Sequence, residues 1–221
     1  MKERRTPRFA TVILDVDSTL CGIEGIDWLA ERQGEDVAKQ VAELTDRAMR
    51  GELPLEDVYG ARLAMVRPRR EDVDALGHEY IETISRGAVE ALAEWRQSGV
   101  CVILLSSAIR YSILRLALHV GLGPDEVHAV DVRFDALGGW VGYDSSSPLT
   151  RTTGKREMVA ALDLPRPMLA VGDGSTDRAV QGTADAFAAF TGYVSRPAVA
   201  DGADFVVMTF DELTEIVLGS D

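Results

Sequence analysis

A short run of apolar, β-branched residues that ends abruptly at two acids is the feature of this chain that most limits its fold. Residues 9–14, Phe-Ala-Thr-Val-Ile-Leu, suit a strand buried on both faces, and Asp15-Val16-Asp17 follows at once. Comparable apolar runs recur at 100–105, 168–171, 186–190 and 205–208, separated by stretches of helical spacing at 87–97, 111–120, 154–162, 176–182 and 211–218. Buried strands alternating with helices predict an α/β fold, a Rossmann-like, mostly parallel sheet with helices on both faces. Residues 127–134 and 140–143 are expected to pair as a hairpin, with Gly138 and Gly139 in its turn.

Between the first two runs strand signals are nearly absent. Residues 25–33, 36–50, 54–65 and 69–85 place charges between apolar positions at helical spacing, with breaks at Gly51 and Pro68. The expected organisation is a core domain formed by 9–21 and 86–221, with a small helical cap inserted after the first strand at 22–85. Gly22, Gly25 and Gly87 stand at the cap's edges as hinge positions.

The formal net charge of −13 argues against nucleic acid and anionic membrane surfaces as partners, because both are bound by local Lys and Arg excess. No apolar run approaches the roughly 20 residues of a membrane helix. Residues 1–8 are basic but lack an apolar signal core, and they read as a frayed tail on a cytoplasmic protein. The two isolated cysteines make neither a disulfide framework nor a zinc site; Cys101 reads as core packing and Cys21 as a small buried residue close to the acids. The oligomeric state is left open, a homodimer included.

In an open parallel sheet, ligands bind at the carboxyl ends of the strands. Three predicted strand ends carry polar residues: Asp15 and Asp17, Ser106 and Ser107, Asp173 and Asp177. Four carboxylates in one pocket repel unless something positive sits among them. A hard cation with oxygen ligands meets that need, and magnesium suits an open site; Lys155, at a helix start, supplies a second positive charge. A carboxylate can also be a nucleophile that forms an acyl-phosphate, and a second acid two residues on can protonate the leaving oxygen and later activate water. Taken singly, an Asp-x-Asp, a Gly-Asp-Gly, a Ser pair or a lone Lys is more often a turn, cap or solvated residue. Their order, each at a strand end or helix start, is what carries the reading.

At these residues the chain resembles the haloacid dehalogenase superfamily of phosphohydrolases. Asp15-Val-Asp-Ser-Thr-Leu20 is similar to its first motif, Ser106 to its second, Lys155 to its third, and Gly172-Asp-Gly-Ser-Thr-Asp177 to its fourth. Within the superfamily the chain is most similar to the phosphoserine phosphatase subfamily. Glu24 falls where that subfamily has a substrate-contacting glutamate, and Arg62 where its cap arginine takes the substrate carboxylate. The resemblance implies Asp15 as nucleophile and Asp17 as general acid/base. It implies Mg2+ held by Asp15, Asp173 and the backbone carbonyl of Asp17. Substrate would be bound by Glu24, Arg62, Ser106, Ser107, Lys155 and Thr176, with Thr19 and Asp177 in support. The partner is a small phosphorylated metabolite and the implied setting is serine biosynthesis. Two positions depart from the pattern: Ser106-Ser107-Ala108 replaces Ser-Gly-Gly, and Thr176 replaces an asparagine. Both touch the substrate's surroundings and neither touches the nucleophile. Two alternatives stand beside L-phosphoserine: a phosphatase or phosphotransferase acting on another small metabolite phosphate, and a catalytically silent binding module.

Overall fold

The computed structural model describes residues 6–219. The first strand, β1, is Thr11–Leu14 and is buried throughout. Four helices follow, α1 (Gly25–Glu31), α2 (Glu35–Met49), α3 (Leu55–Val66) and α4 (Arg70–Glu82). Then come α5 (Ala88–Gln97), β2 (Cys101–Ile109), α6 (Arg110–His119) and β3 (Val127–Val130). A small hairpin, β4 (Val132–Phe134) with β5 (Trp140–Tyr143), leads to α7 (Gly154–Ala161) and β6 (Met168–Gly172). The chain ends with α8 (Ser175–Arg178), β7 (Ala186–Phe190), α9 (Pro197–Ala200), β8 (Phe205–Val207) and α10 (Phe210–Leu218).

Six strands form one sheet in the order β3-β2-β1-β6-β7-β8, and every neighbouring pair is parallel. The chain leaves β1 toward β2 and β3, then crosses to β6 and continues outward on the other side. That reversal makes the carboxyl end of β1 the switch point of the sheet, where such folds open a crevice. Asp15 is the next residue.

Helices cover the sheet through apolar stripes. In α5 the buried residues are Ala88, Ala91, Leu92 and Trp95, at three- and four-residue spacing, and Trp95 stacks on Phe210 of α10 with ring centroids 6.1 Å apart. Helix α4 packs on α6 and α1 instead, through the stripe Val73, Leu76, Gly77 and Tyr80. Helix α3 ends because Arg67 takes a left-handed conformation (φ 42°) just ahead of Pro68, whose ring disfavours helix in the residue before it.

Several expectations need correction. Strand β2 does not stop at Leu105 but runs through Ser106, Ser107 and Ala108, so the second polar motif is extended backbone. Residues 127–134 are not one strand: β3 joins the main sheet, and only β4 pairs with β5. Helix α8 is four residues long, not seven. Arg8 is not frayed: its N–H donates to Val217 O at 2.8 Å, one of the free carbonyls at the end of α10, and its guanidinium lies over Phe205. Residues 1–5 of the expected tail lie outside the described residues. Cys101, expected in the core, is only partly buried at the entrance of β2, whereas Cys21 is fully buried. Among the described residues no helix is long and apolar enough to cross a membrane.

Candidate active site

Strands β1, β2 and β6 are adjacent, so Asp15 and Asp173, just past the ends of β1 and β6, meet Ser106, which β2 carries two residues beyond its pairing with β1. Lys155 arrives from the first turn of α7. That helix can start there only because residue 154 is glycine: a Cβ on Gly154 would lie 1.8 Å from Pro148 O. Lys155 Nζ sits 2.6 Å from an oxygen of Asp15 and 2.6 Å from an oxygen of Asp177, all three side chains being nearly inaccessible. The second oxygen of Asp177 accepts the Gly174 N–H at 3.0 Å, which closes the turn after β6.

Burial, then the charge of Asp177, push the Asp15 carboxyl well above the ordinary carboxylate range, and the ammonium of Lys155 opposes both. Burial alone would lower the Lys155 ammonium, but the two carboxylates outweigh it and raise it, so it stays charged. Asp15, Asp173 and Asp177 each offer an oxygen, all within 4.8 Å of one another. Three buried hard-oxygen donors around one point fit a divalent cation of the magnesium type.

Asp17 faces a different environment. Its Oδ2 accepts the Gly25 N–H at 2.9 Å and its Oδ1 accepts the Tyr80 hydroxyl at 2.6 Å. Burial, then the charge of Glu24, raise its pKa to about 7. Glu24 is itself held by the Ser18 hydroxyl at 2.8 Å, from a residue in the left-handed region (φ 51°).

From the helical segment, Arg62 reaches inward and is almost fully buried. Its Nη1 donates to Thr45 Oγ1 at 2.8 Å, and that hydroxyl donates to Asp27 Oδ1 at 2.5 Å. Arg62 Nε and Ser107 Oγ are buried with no partner among the described residues. Ser106 Oγ accepts the Ala108 N–H at 3.0 Å. A cavity of ≈ 30 Å³ lies between these groups, lined by Asp15, Asp17, Glu24, Arg62, Ser106, Ser107, Lys155, Asp173 and Thr176, nine of the residues singled out from the sequence. The other two stand behind it: Thr19 donates a long bond to Asp173 at 3.5 Å, and Asp177 holds Lys155.

Four contributors were not foreseen. Arg196 is buried and ion-paired with Asp173, a second fixed cation in the acidic cluster. It closes the stretch 190–196, Phe-Thr-Gly-Tyr-Val-Ser-Arg, which the sequence marks as a loop at the rim of the site without giving Arg196 a role. Met49 and Ile26 also line the cavity, and Tyr80 caps Asp17; all three read as ordinary apolar helix positions. Gly22 and Gly25, expected as hinges, have another use. A Cβ on Gly22 would lie 2.8 Å from the Tyr193 ring, and one on Gly25 2.1 Å from the Tyr80 hydroxyl oxygen, so both glycines allow close approach.

The profile of the haloacid dehalogenase-like hydrolase family matches residues 12–180. The chain belongs to the haloacid dehalogenase-like hydrolases. Within that family it is similar to the chloroplastic phosphoserine phosphatase of Arabidopsis thaliana, 35% identical over 207 residues that cover 91% of this chain and 70% of that one. It is 34% identical to the phosphoserine phosphatase of Rattus norvegicus over 205 residues, covering 91% and 90% of the two chains. In fold it is similar to a phosphoserine phosphohydrolase-like protein from Francisella tularensis, with TM-score 0.86, 22% identity and coverage of 93% and 98%. A substrate-bound phosphoserine phosphatase complex superposes with TM-score 0.80, 22% identity and coverage of 98% and 100%. This haloacid dehalogenase-like hydrolase is thus a phosphoric monoester hydrolase of phosphoserine phosphatase-like type.

Proposed function

We propose that this enzyme hydrolyses L-phosphoserine, or a closely similar small phosphomonoester carrying a carboxylate, through an aspartyl-phosphate on Asp15, in a cytoplasmic step of serine biosynthesis. The observation that carries the substrate reading is Arg62: a buried guanidinium lining the same cavity as the Asp15 cluster, with Nε unpartnered among the described residues. An orphaned buried donor of this kind costs stability unless a ligand's anion meets it.

In this reading an Asp15 carboxylate oxygen attacks phosphorus in line with the leaving oxygen, and the P–O bond to the serine side chain breaks. Asp17, whose raised pKa lets it hold a proton near neutrality, passes that proton to the departing alkoxide. Water then attacks the acyl-phosphate and gives its proton to Asp17, so phosphate leaves and Asp15 returns as a carboxylate. Lys155 opposes the rise in the Asp15 pKa and holds the carboxyl turned toward it between turnovers. Backbone groups beside Ser106, with the Ser106 and Ser107 hydroxyls and Thr176, hold the phosphoryl oxygens. Mg2+ would be held by Asp15, Asp173 and the Asp17 carbonyl, with the Asp177 carboxylate close by, and would supply charge stabilisation for those oxygens.

Residues 22–85 are proposed to act as a cap over a core of 9–21 and 86–221. The cavity has room for only a few waters, so a phosphorylated metabolite enters after the helices lift. Polar bonds spanning the seam support this: Leu55 N–H to Thr152 Oγ1 at 2.8 Å, the Tyr59 hydroxyl to Ser107 O at 2.8 Å, and the Ser175 hydroxyl to Ala48 O at 2.9 Å. Such bonds exchange with water at little net cost.

A second reading, another small metabolite phosphate, is favoured by one observation: Ser107 Oγ, where the subfamily pattern has glycine, is buried and unpartnered beside the phosphoryl site. Phosphate release from a panel of small phosphomonoesters, with Mg2+ and with a chelator, tests both. Metal-dependent release with L-phosphoserine preferred is expected. Preference for a phosphate that lacks a carboxylate would move the substrate, and no release from any would overturn the reading.

A further inference from the structure

Asp17 is gripped at both oxygens, and the second grip is not part of the chain's acidic motifs. Gly25 N–H holds Oδ2 from the turn that opens α1, while the Tyr80 hydroxyl holds Oδ1 at 2.6 Å from the far end of α4. Tyr80 is fully buried, and the position of its hydroxyl is fixed by contact: Gly25 approaches so closely that any side chain there would collide with it. Its backbone carbonyl accepts the Cys21 thiol at 3.2 Å, which pins the residue to the segment that follows the first motif. A carboxyl group turns easily about its last torsion, which has a broad, two-fold preference. One donor on one oxygen leaves that rotation loose, and a second donor on the other oxygen removes it.

We propose that Tyr80 is a positioning residue for proton transfer: by holding Oδ1 it fixes the plane of the Asp17 carboxyl so that the remaining lone pair or proton faces the leaving oxygen. This rests on the Asp17 role in the proposed function. It also makes proton donation depend on α4 being seated, because the hydroxyl comes from the helical segment and the carboxyl from the core.

The competing account is that a buried tyrosine simply finds an acceptor. The two differ in how the effect depends on the leaving group. An alkoxide needs a proton to depart, whereas p-nitrophenolate does not. Tyr80→Phe, which removes one oxygen atom, is therefore assayed for kcat/KM on L-phosphoserine and on p-nitrophenyl phosphate with Mg2+, alongside its melting temperature. The expected result is a loss of about 10- to 100-fold on the alkyl phosphate, the range for a hydrogen bond to a charged group. The loss on the aryl phosphate is expected to be smaller, so that the ratio of the two kcat/KM values shifts about tenfold or more. Equal losses on both substrates, or none on either, overturn the proposal. If the phenylalanine variant does not fold, 3,5-difluorotyrosine placed at residue 80 keeps the volume and strengthens the donor; an unchanged alkyl-to-aryl ratio there overturns the proposal as well. Failure of the wild-type enzyme to release phosphate from either substrate would instead overturn the proposed function, and with it the role of Asp17 on which this inference stands.

Discussion

Replacing Lys155 by methionine removes one positive charge from between two buried carboxylates and little else. The ammonium is 2.6 Å from both Asp15 and Asp177 and is the cation that links them. Removing one partner of a buried ion pair costs about 3–5 kcal/mol, because the remaining charge stays desolvated and uncompensated. For a chain of this size each kcal/mol moves the melting temperature by about 2–4 °C, so Lys155→Met is expected to melt about 6–20 °C below wild type at neutral pH. The sign of the pH dependence follows from Asp15, whose folded pKa is raised and loses its main opposing charge in the variant. A raised carboxyl penalises the folded state above the folded pKa and not below the unfolded one. The deficit therefore shrinks as pH falls through the raised Asp15 pKa. Added Mg2+ should recover part of the loss at neutral pH by supplying charge to the same carboxylates. Thermal unfolding followed by circular dichroism at pH 7.5 and pH 5, with and without Mg2+, reads all three effects. A variant that melts within a degree of wild type at neutral pH, or whose deficit grows on acidification, would refute the claim that Lys155 neutralises this cluster.

Three other perturbations reach different parts of the account. Arg62→Ala should raise KM for carboxylate-bearing phosphomonoesters by about 10- to 100-fold and leave p-nitrophenyl phosphate nearly untouched, as steady-state kinetics would show. Asp27 is raised to about 6, chiefly by burial. Between its unfolded value near 4 and that folded value, stability falls as pH rises, by at most about 3 kcal/mol; Asp27→Asn should flatten that slope in urea titrations across pH 4–6.5. Gly154→Ala would place a Cβ 1.8 Å from Pro148 O, so the start of α7 must shift; the expected result is loss of Lys155 placement, seen as activity falling more than 100-fold while the far-UV spectrum is retained.

Much of the site was legible because its residues sit where simple patterns change. Asp15 ends an unbroken apolar strand, Asp173 ends another, and Lys155 follows a glycine at a helix start; each is a polar group at a punctuation point of the chain. Ser106 was legible for the same reason, although β2 continues through it, because Ser-Ser-Ala carries no apolar signal by which to see the strand extend. The extent of the 127–134 strand was misread because Asp131 breaks a stretch whose β propensity is otherwise continuous, and only the sheet's edge decides which half pairs where. Tyr80 illustrates the deeper limit. Its place in the stripe Val73, Leu76, Gly77, Tyr80 marks it as core, which it is, but the periodicity of one helix cannot say which carboxylate from another segment lies beneath its hydroxyl. Arg196 was hidden in the same way, since its partner Asp173 lies in a different segment and no local spacing relates the two.

The most direct test of the central claim is to look for the covalent intermediate. Wild-type enzyme and Asp15→Asn are mixed with isotopically labelled L-phosphoserine and Mg2+, quenched in acid within milliseconds, digested and read by mass spectrometry. A phosphoryl group on the peptide carrying Asp15 in the wild type, absent from a folded Asp15→Asn that no longer releases phosphate, is the predicted result. Label on any other residue, or turnover by Asp15→Asn at the wild-type rate, would contradict it.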